Sequence, residues 1–268
     1  MTNWPINAAV RAETIGLGTG TGTSVTSGPA DTKGSYATIG TTGFQYGGLV
    51  LSLLASGLGG ARKFRLDIAV NTGGSDTIIV EDYYFEGSNT AIAVAPLNIH
   101  LRVCIPSGAT VKARVQSNQS TQTIAVALIG VAYDFPGPVG KSRVVSCTDF
   151  TNTLPTNTVT QAGNSYTAWT EIRSSLPARV SALWLTFSNG GDSSRTASDF
   201  IVDIGVGAAG SEVVIGSILG TQSGGLFSLI PAFLPCDIPA GSRLAFRIQC
   251  AVAGAADAFG VCAIGLAA

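Results

Sequence analysis

Few side chains in this 268-residue chain are of a type and spacing that could do covalent chemistry. The single histidine, His100, would have to serve any histidine-based acid, base or triad. It lies in Leu97-Asn98-Ile99-His100-Leu101-Arg102, an alternating stretch that reads as a strand. Cys104 follows four residues later, and on a strand that spacing sets the two about 13 Å apart, too far for an ion pair or a shared metal. There is no Gly-x-Ser-x-Gly nucleophile elbow. Gly140-Lys141-Ser142 ends like a phosphate-binding loop, yet the glycine that motif needs five residues earlier is Phe135. The Gly/Thr/Ser run from Gly16 to Gly28 reads as a mobile loop, since it lacks the strand-then-helix setting of a nucleotide site. No catalytic residue, cofactor or metal is expected.

The most distinctive chemical cluster is Glu81-Asp82-Tyr83-Tyr84-Phe85. Two carboxylates beside three aromatics could form a sugar platform, with rings stacking on pyranose faces and carboxylates accepting hydroxyl hydrogen bonds. The same residues also read as a strand that alternates between core and surface, and this second reading is favoured. Trp4, Trp169 and Trp184 are the other aromatic candidates, with Trp169 and Trp184 expected in the core.

The elements that must hold these residues occur twice. Phe64-Arg65-Leu66-Asp67-Ile68-Ala69-Val70 is echoed by Phe200-Ile201-Val202-Asp203-Ile204-Gly205-Val206 at an offset of 136, and Gly74 by Gly210. Ser217-Ile218-Leu219 then falls opposite Glu81-Asp82-Tyr83, so the second copy lacks the carboxylate–aromatic cluster. Ile105-Pro106-Ser107-Gly108 returns as Ile238-Pro239-Ala240-Gly241, and Arg114 falls opposite Arg247. Leu128 to Ala132 aligns with Ala263 to Ala267. Residues present in both copies mark what both modules need. Asp67 with Arg114 and Asp203 with Arg247 fit a pair bridging strands or a strand-end cap, a scaffold role. A period this long is not that of a solenoid or propeller, whose units run roughly 20–50 residues.

Alternation with period two dominates, as in Val111-Lys112-Ala113-Arg114-Val115-Gln116 and Ser242-Arg243-Leu244-Ala245-Phe246-Arg247. Turn signals such as Asn71-Thr72-Gly73-Gly74 separate the runs. Seven or eight strands per copy and no helix of three turns predict an all-β protein of two tandem antiparallel β-sandwiches, jelly-roll-like and internally duplicated. An immunoglobulin-like sandwich is the alternative, without the Cys–Trp–Cys spacing that would support it. The expected layout is an N-terminal arm over 1–15, a first sandwich over 16–134, a Pro/Gly connector over 135–147 and a second sandwich over 148–268. Charged residues make up only 12% and the net charge is −1, which argues against nucleic acid or anionic lipid as partner. No apolar run is long enough to cross a membrane as a helix, and Met1-Thr2-Asn3-Trp4-Pro5 does not open like a signal peptide. Synthesis in a cytoplasm is therefore expected. The five cysteines are scattered and read as small buried hydrophobes, with an intersubunit disulfide as the minor alternative.

Duplicated, charge-poor, Gly/Ala/Thr-rich sandwiches with repeated Ile-Pro-x-Gly turns, here at Ile105–Gly108 and Ile238–Gly241, resemble accessory virion proteins of tailed bacteriophages. That group includes capsid decoration, collar and head-fibre proteins. The resemblance is one of architecture over residues 15–268. It implies a non-enzymatic structural component of the virion, made in the host cytoplasm. It also implies symmetric homo-oligomers, a trimer favoured, in contact with major capsid or neck and tail proteins. The alternative is a carbohydrate-binding, host-recognition module of a phage fibre.

Overall fold

A computed structural model describes residues 11–17, 22–54, 62–87, 99–101, 103–132, 143–155, 157–160, 163–188, 198–223, 226–227, 232–251 and 258–267. The first half supplies β1 (Arg11–Ile15), β2 (Thr23–Thr26), β3 (Ala37–Thr41), β4 (Gly48–Leu54), β5 (Arg62–Asn71), β6 (Thr77–Gly87), β7 (Ile99–Leu101), β8 (Thr110–Ser117) and β9 (Thr123–Ala132). The second half opens with β10 (Arg143–Ser146), β11 (Phe150–Thr151), β12 (Leu154–Pro155), β13 (Val159–Thr160) and β14 (Thr170–Arg173). It continues with β15 (Val180–Ser188), β16 (Ser198–Val206), β17 (Val213–Ser223), β18 (Leu226–Phe227), β19 (Ala232–Ile238), β20 (Leu244–Cys250) and β21 (Ala258–Ala267). No helix occurs among the described residues. The alternation in sequence explains the strands: on β5, Phe64, Leu66 and Ile68 turn into the core, and on β8, Val111, Ala113 and Val115 do the same.

Each half is a jelly roll. In the first, β1-β9-β4-β7 packs on β3-β8-β5-β6; in the second, β10-β21-β15-β19 packs on β14-β20-β16-β17. Counting the eight principal strands of a copy in chain order, first-eighth-third-sixth faces second-seventh-fourth-fifth both times. The registers repeat as well: Arg11 pairs with Ala132 as Arg143 pairs with Ala267, and Asp67 pairs with Arg114 as Asp203 pairs with Arg247. The duplication read from the sequence is thus one fold built twice.

The halves are not separate beads. β10 lies parallel to β6, with Val144 opposite Val80, and joins the two copies into one nine-stranded sheet. Neighbouring residues on a strand point to opposite faces. Val144 accordingly enters the first core, with Phe64, Leu66, Tyr83, Leu49, Leu51 and Val126, while Val145 enters the second, with Leu183, Phe200, Val202 and Ile248. Trp184 and Ile264 of the second copy also join the first core. The shared sheet therefore carries one core on each face, offset along its width.

Three expectations from the sequence change. Residues 11–15 of the expected arm are β1, the first strand of the first jelly roll, and residues 1–10 lie outside the described residues. The expected loop from Gly16 to Gly28 contains β2, paired with β9. The expected connector over 135–147 ends in β10, so the second jelly roll begins at Arg143; residues 135–142, with Gly140-Lys141-Ser142, lie outside the described residues. At the first hairpin Gly73 is left-handed (φ 102°), and Gly210, the repeat partner of Gly74, has φ 81°. The Pro106 and Pro239 turns match the expectation, with Gly108 at φ 76° and Gly241 at φ 80°.

The offset also shifts inside β6. Val80 pairs with Ile68 as Gly216 pairs with Ile204, but Tyr83 pairs with Leu66 as Ile218 pairs with Val202. β6 therefore holds one extra residue, a bulge at Asp82, whose φ is 51°. The structural counterpart of Leu219 is Tyr84, one residue on from the sequence alignment.

Candidate functional site

The Asp–Arg pairs shared by both copies are the centres of two polar clusters. In the first, Asp67 on β5 sits directly across from Arg114 on β8, and Arg114 Nε donates to Asp67 Oδ2 at 2.8 Å. Lys33 Nζ donates to the same oxygen at 2.6 Å, and the Asp82 N–H donates to Oδ1 at 2.9 Å. Lys33 Nζ also reaches Asp82 Oδ1 at 2.8 Å, and Arg65 donates to Asp82 Oδ2. The bulge at Asp82 is what brings a second carboxylate to this cluster. Arg114 lies over the Tyr36 ring at 4.6 Å. Burial acts to raise the Asp82 carboxyl, but its bonds and charge contacts with Arg65 and Lys33 bring it below its ordinary value. Burial likewise acts to lower Arg114, and Asp67 more than reverses it.

In the second copy, Arg247 on β20 gives Asp203 Oδ2 two bonds, at 2.9 Å from Nε and 2.8 Å from Nη2. Asp203 Oδ1 accepts from Ser217 Oγ at 2.6 Å and from the Tyr166 hydroxyl at 3.4 Å. Arg247 lies 4.3 Å from the Tyr166 ring and 4.8 Å from the Trp169 ring. Trp169 rests against Gly205, where a Cβ would fall 2.7 Å from the ring. Burial and the nearby Asp203 raise the Tyr166 hydroxyl. By register, Tyr36 just before β3 is the counterpart of Trp169 just before β14, and Tyr166 stands where the first copy has Lys33. Neither tyrosine nor Lys33 was singled out by sequence reasoning, which aligned only the long strands.

The two clusters differ in cover. The β11–β12 hairpin of the second copy lies over the first cluster: Arg65 Nη1 donates to the Asn152 carbonyl at 2.6 Å and lies 4.3 Å from the Phe150 ring. Thr153 N–H donates to Asp31 Oδ1 at 3.1 Å, and Gln116 Nε2 donates to Thr153 Oγ1 at 3.1 Å. Asp67 is fully enclosed. The second cluster keeps Tyr166 at its surface, with 37% of the residue exposed. Both Asp–Arg pairs bridge neighbouring strands.

Residues 81–85 lie on β6 and do not form the alternative sugar platform. Tyr83, Tyr84 and Phe85 are buried, Phe85 stacking on Phe64 at 5.0 Å and Tyr84 on Phe150 at 6.1 Å. Asp82 is held by Arg65 and Lys33, and Glu81 is half-buried. The apolar face of the strand and the junction between copies claim the rings, so none is left to stack on a ligand. Trp184 is buried beside Phe233 at 5.4 Å. Trp169 is half-buried, and Trp4 lies outside the described residues. His100 is on β7, with its side chain outside what is described. No group of three or more His, Cys, Asp or Glu that could hold a metal occurs among the described residues.

No family model and no curated protein matches the chain. Among solved structures, the tandem CBM22-1–CBM22-2 domain of Paenibacillus barcinonensis Xyn10C matches over 97% of this chain and 91% of that one, at 9% identity and a TM-score of 0.27. Vicilin from Capsicum annuum matches over 87% of this chain and 75% of that one, at 11% identity and a TM-score of 0.17. Similarities at this level say nothing about function.

What remains at the surface of the second jelly roll is apolar. Leu219 is 79% exposed, Val213 67% and Phe233 57%, and Val214 is exposed as well. They lie on β17 and β19, the two strands that close the same side of that sandwich. The five cysteines form no disulfide, and Cys147, Cys250 and Cys262 are buried. Burial pushes the Cys147 thiol up to about 12 and the Cys236 thiol up to about 11, so neither thiol ionises readily.

Proposed function

We propose that this chain is a non-enzymatic structural subunit whose function is buried contact with other protein chains, as an accessory component of a tailed-phage particle. The observation that carries the reading is the apolar exposure of Leu219, Val213 and Phe233 on edge strands of a rigid tandem jelly roll. Two further features agree with it. The buried carboxylates Asp67 and Asp203 are engaged in internal ion pairs, and a chain with only 12% charged residues favours contact with protein over steering of charged ligands. Homo-oligomers, with a trimer favoured, and contacts to capsid or neck proteins follow from the same reading. The test is the solution mass of the purified chain by light scattering, with and without reductant. A stable trimer or larger ring supports it; a monomer that captures a glycan on an array rejects it.

A second reading, carbohydrate recognition, has one observation in its favour: the surface group of Tyr166, Trp169, Arg247, Asp203 and Ser217. A half-open ring beside a carboxylate and a hydroxyl is the kind of surface a sugar uses. On this reading, Tyr166→Ala and Trp169→Ala abolish glycan binding while leaving the oligomer intact.

A further inference from the structure

We propose that copies of this chain join head to tail, the β17 edge of one copy lying parallel against the β1 edge of the next. This would repeat between chains the junction that β6 and β10 make within the chain. The inference rests on the assembly reading above and names its surface and partner, a second copy.

The topology supplies the template. β6 and β17 are the same strand of the jelly roll in the two copies, and so are β10 and β1. Inside the chain, the outer side of β6 is filled by β10. Among the described strands, the outer side of β17 is met only by β18, at Gln222 and Ser223, and β1 pairs only with β9. One end of the molecule thus carries the unused half of the internal junction and the other end carries its complement.

The side chains agree. Tyr84 and Leu219 are structural counterparts, by their pairing with Arg65 and Ile201. Tyr84 is 1% exposed, covered by Phe150 and by Thr186, whose Oγ1 donates to the Tyr84 carbonyl at 3.3 Å. Leu219 is 79% exposed. The position that the next jelly roll buries in the first copy is the most exposed large hydrophobe in the second. Val214, also exposed, shares the outer face of β17 with Leu219 by its pairing with Gly205.

The backbone agrees too. The Gly47 N–H donates to the Val131 carbonyl at 2.9 Å, so Val131 turns its polar groups toward the β4 side. Ala12, paired with Val131, therefore turns its own N–H and C=O away from β9. Its counterpart Val144 is the residue that meets Val80 on β6. By the same register, Ala12 of the next copy would meet Gly216. Such an interface is heterologous, so it closes into a ring or continues as a filament according to the rotation between copies.

Sedimentation and light scattering of the full chain test this with two edge variants. Leu219→Lys with Val213→Lys blocks β17 through side chains already exposed, so it leaves folding unchanged. Ala12→Pro blocks β1 by removing an outward N–H. The expected result is an assembled wild type, two monomeric variants, and a heterodimer of twice the chain mass when the variants are mixed. That mixture still holds one intact β1 edge and one intact β17 edge. A wild type that assembles, with a β17 variant that assembles equally well, overturns the head-to-tail edge and leaves the assembly reading standing. A mixture of folded variants that stays monomeric overturns it as well. A wild type that is monomeric at every concentration overturns both.

Discussion

Asp82 reaches the enclosed cluster only because a bulge turns it there, with φ at 51°. Its carboxyl is held below the ordinary value, since Arg65 and Lys33 outweigh the burial that would raise it. A carboxyl depressed in the folded state contributes stability that is present above its unfolded pKa of about 3.9 and is lost as pH falls through the folded value. Asparagine tolerates the left-handed backbone, so Asp82→Asn removes the charge without straining the bulge. The variant is expected to be less stable than wild type by about 1–3 kcal/mol at neutral pH, with the gap closing below about pH 4. Urea melts at pH 7 and pH 3 measure this, and a gap that ignores pH would count against the ion-pair account. Asp67 and Asp82 share Lys33, whereas Asp203 accepts from a serine and a tyrosine instead.

At the scale of elements, the duplicated long strand anchors each core with the same phenylalanine. Phe64 stacks on Phe85 at 5.0 Å, whereas Phe200 lies over Gly220 and packs against Phe259 at 5.4 Å. The aromatic opposite Phe64 has become a glycine opposite Phe200, and the ring folds down over the space. Both phenylalanines are buried, so Phe64→Ala and Phe200→Ala should each cost about 3–5 kcal/mol. Denaturant melts of the two variants test this, and an unchanged midpoint in both would refute the duplicated core. The strands, the turns and the Asp–Arg rungs were legible in the sequence, because period two and repeated spacing are local properties. The covering of Tyr84 and the pairing of Tyr166 with Asp203 were not, because each depends on a partner far along the chain.

For the whole molecule, the shared sheet decides how stability is distributed. Val144, Trp184 and Ile264 belong to the second copy by strand order and to the first core by packing. Arg65 and Gln116 of the first copy are tied to Asn152 and Thr153 of the second. Unfolding either jelly roll would strip apolar surface from the other. Calorimetry is therefore expected to give one transition with calorimetric and van't Hoff enthalpies in agreement. Two separated transitions would mean that the β6–β10 junction contributes little.

Sequence by itself determined the all-β class, the duplication, the long strands and the equivalence of Asp67 with Asp203 and Arg114 with Arg247, since all of these follow from alternation and repeated spacing. It left two readings for 81–85, a strand and a sugar platform, and cut the modules at the wrong places, taking β1 for part of an arm and β10 for part of a connector. Only the tertiary structure decided those points. A short strand such as Arg143–Ser146 carries almost no periodicity of its own, and its place is fixed by hydrogen bonding to β21 on one side and β6 on the other. Whether an aromatic such as Tyr84 or an aliphatic such as Leu219 meets solvent depends on what lies across the edge of its sheet, and that is a property of the assembled fold.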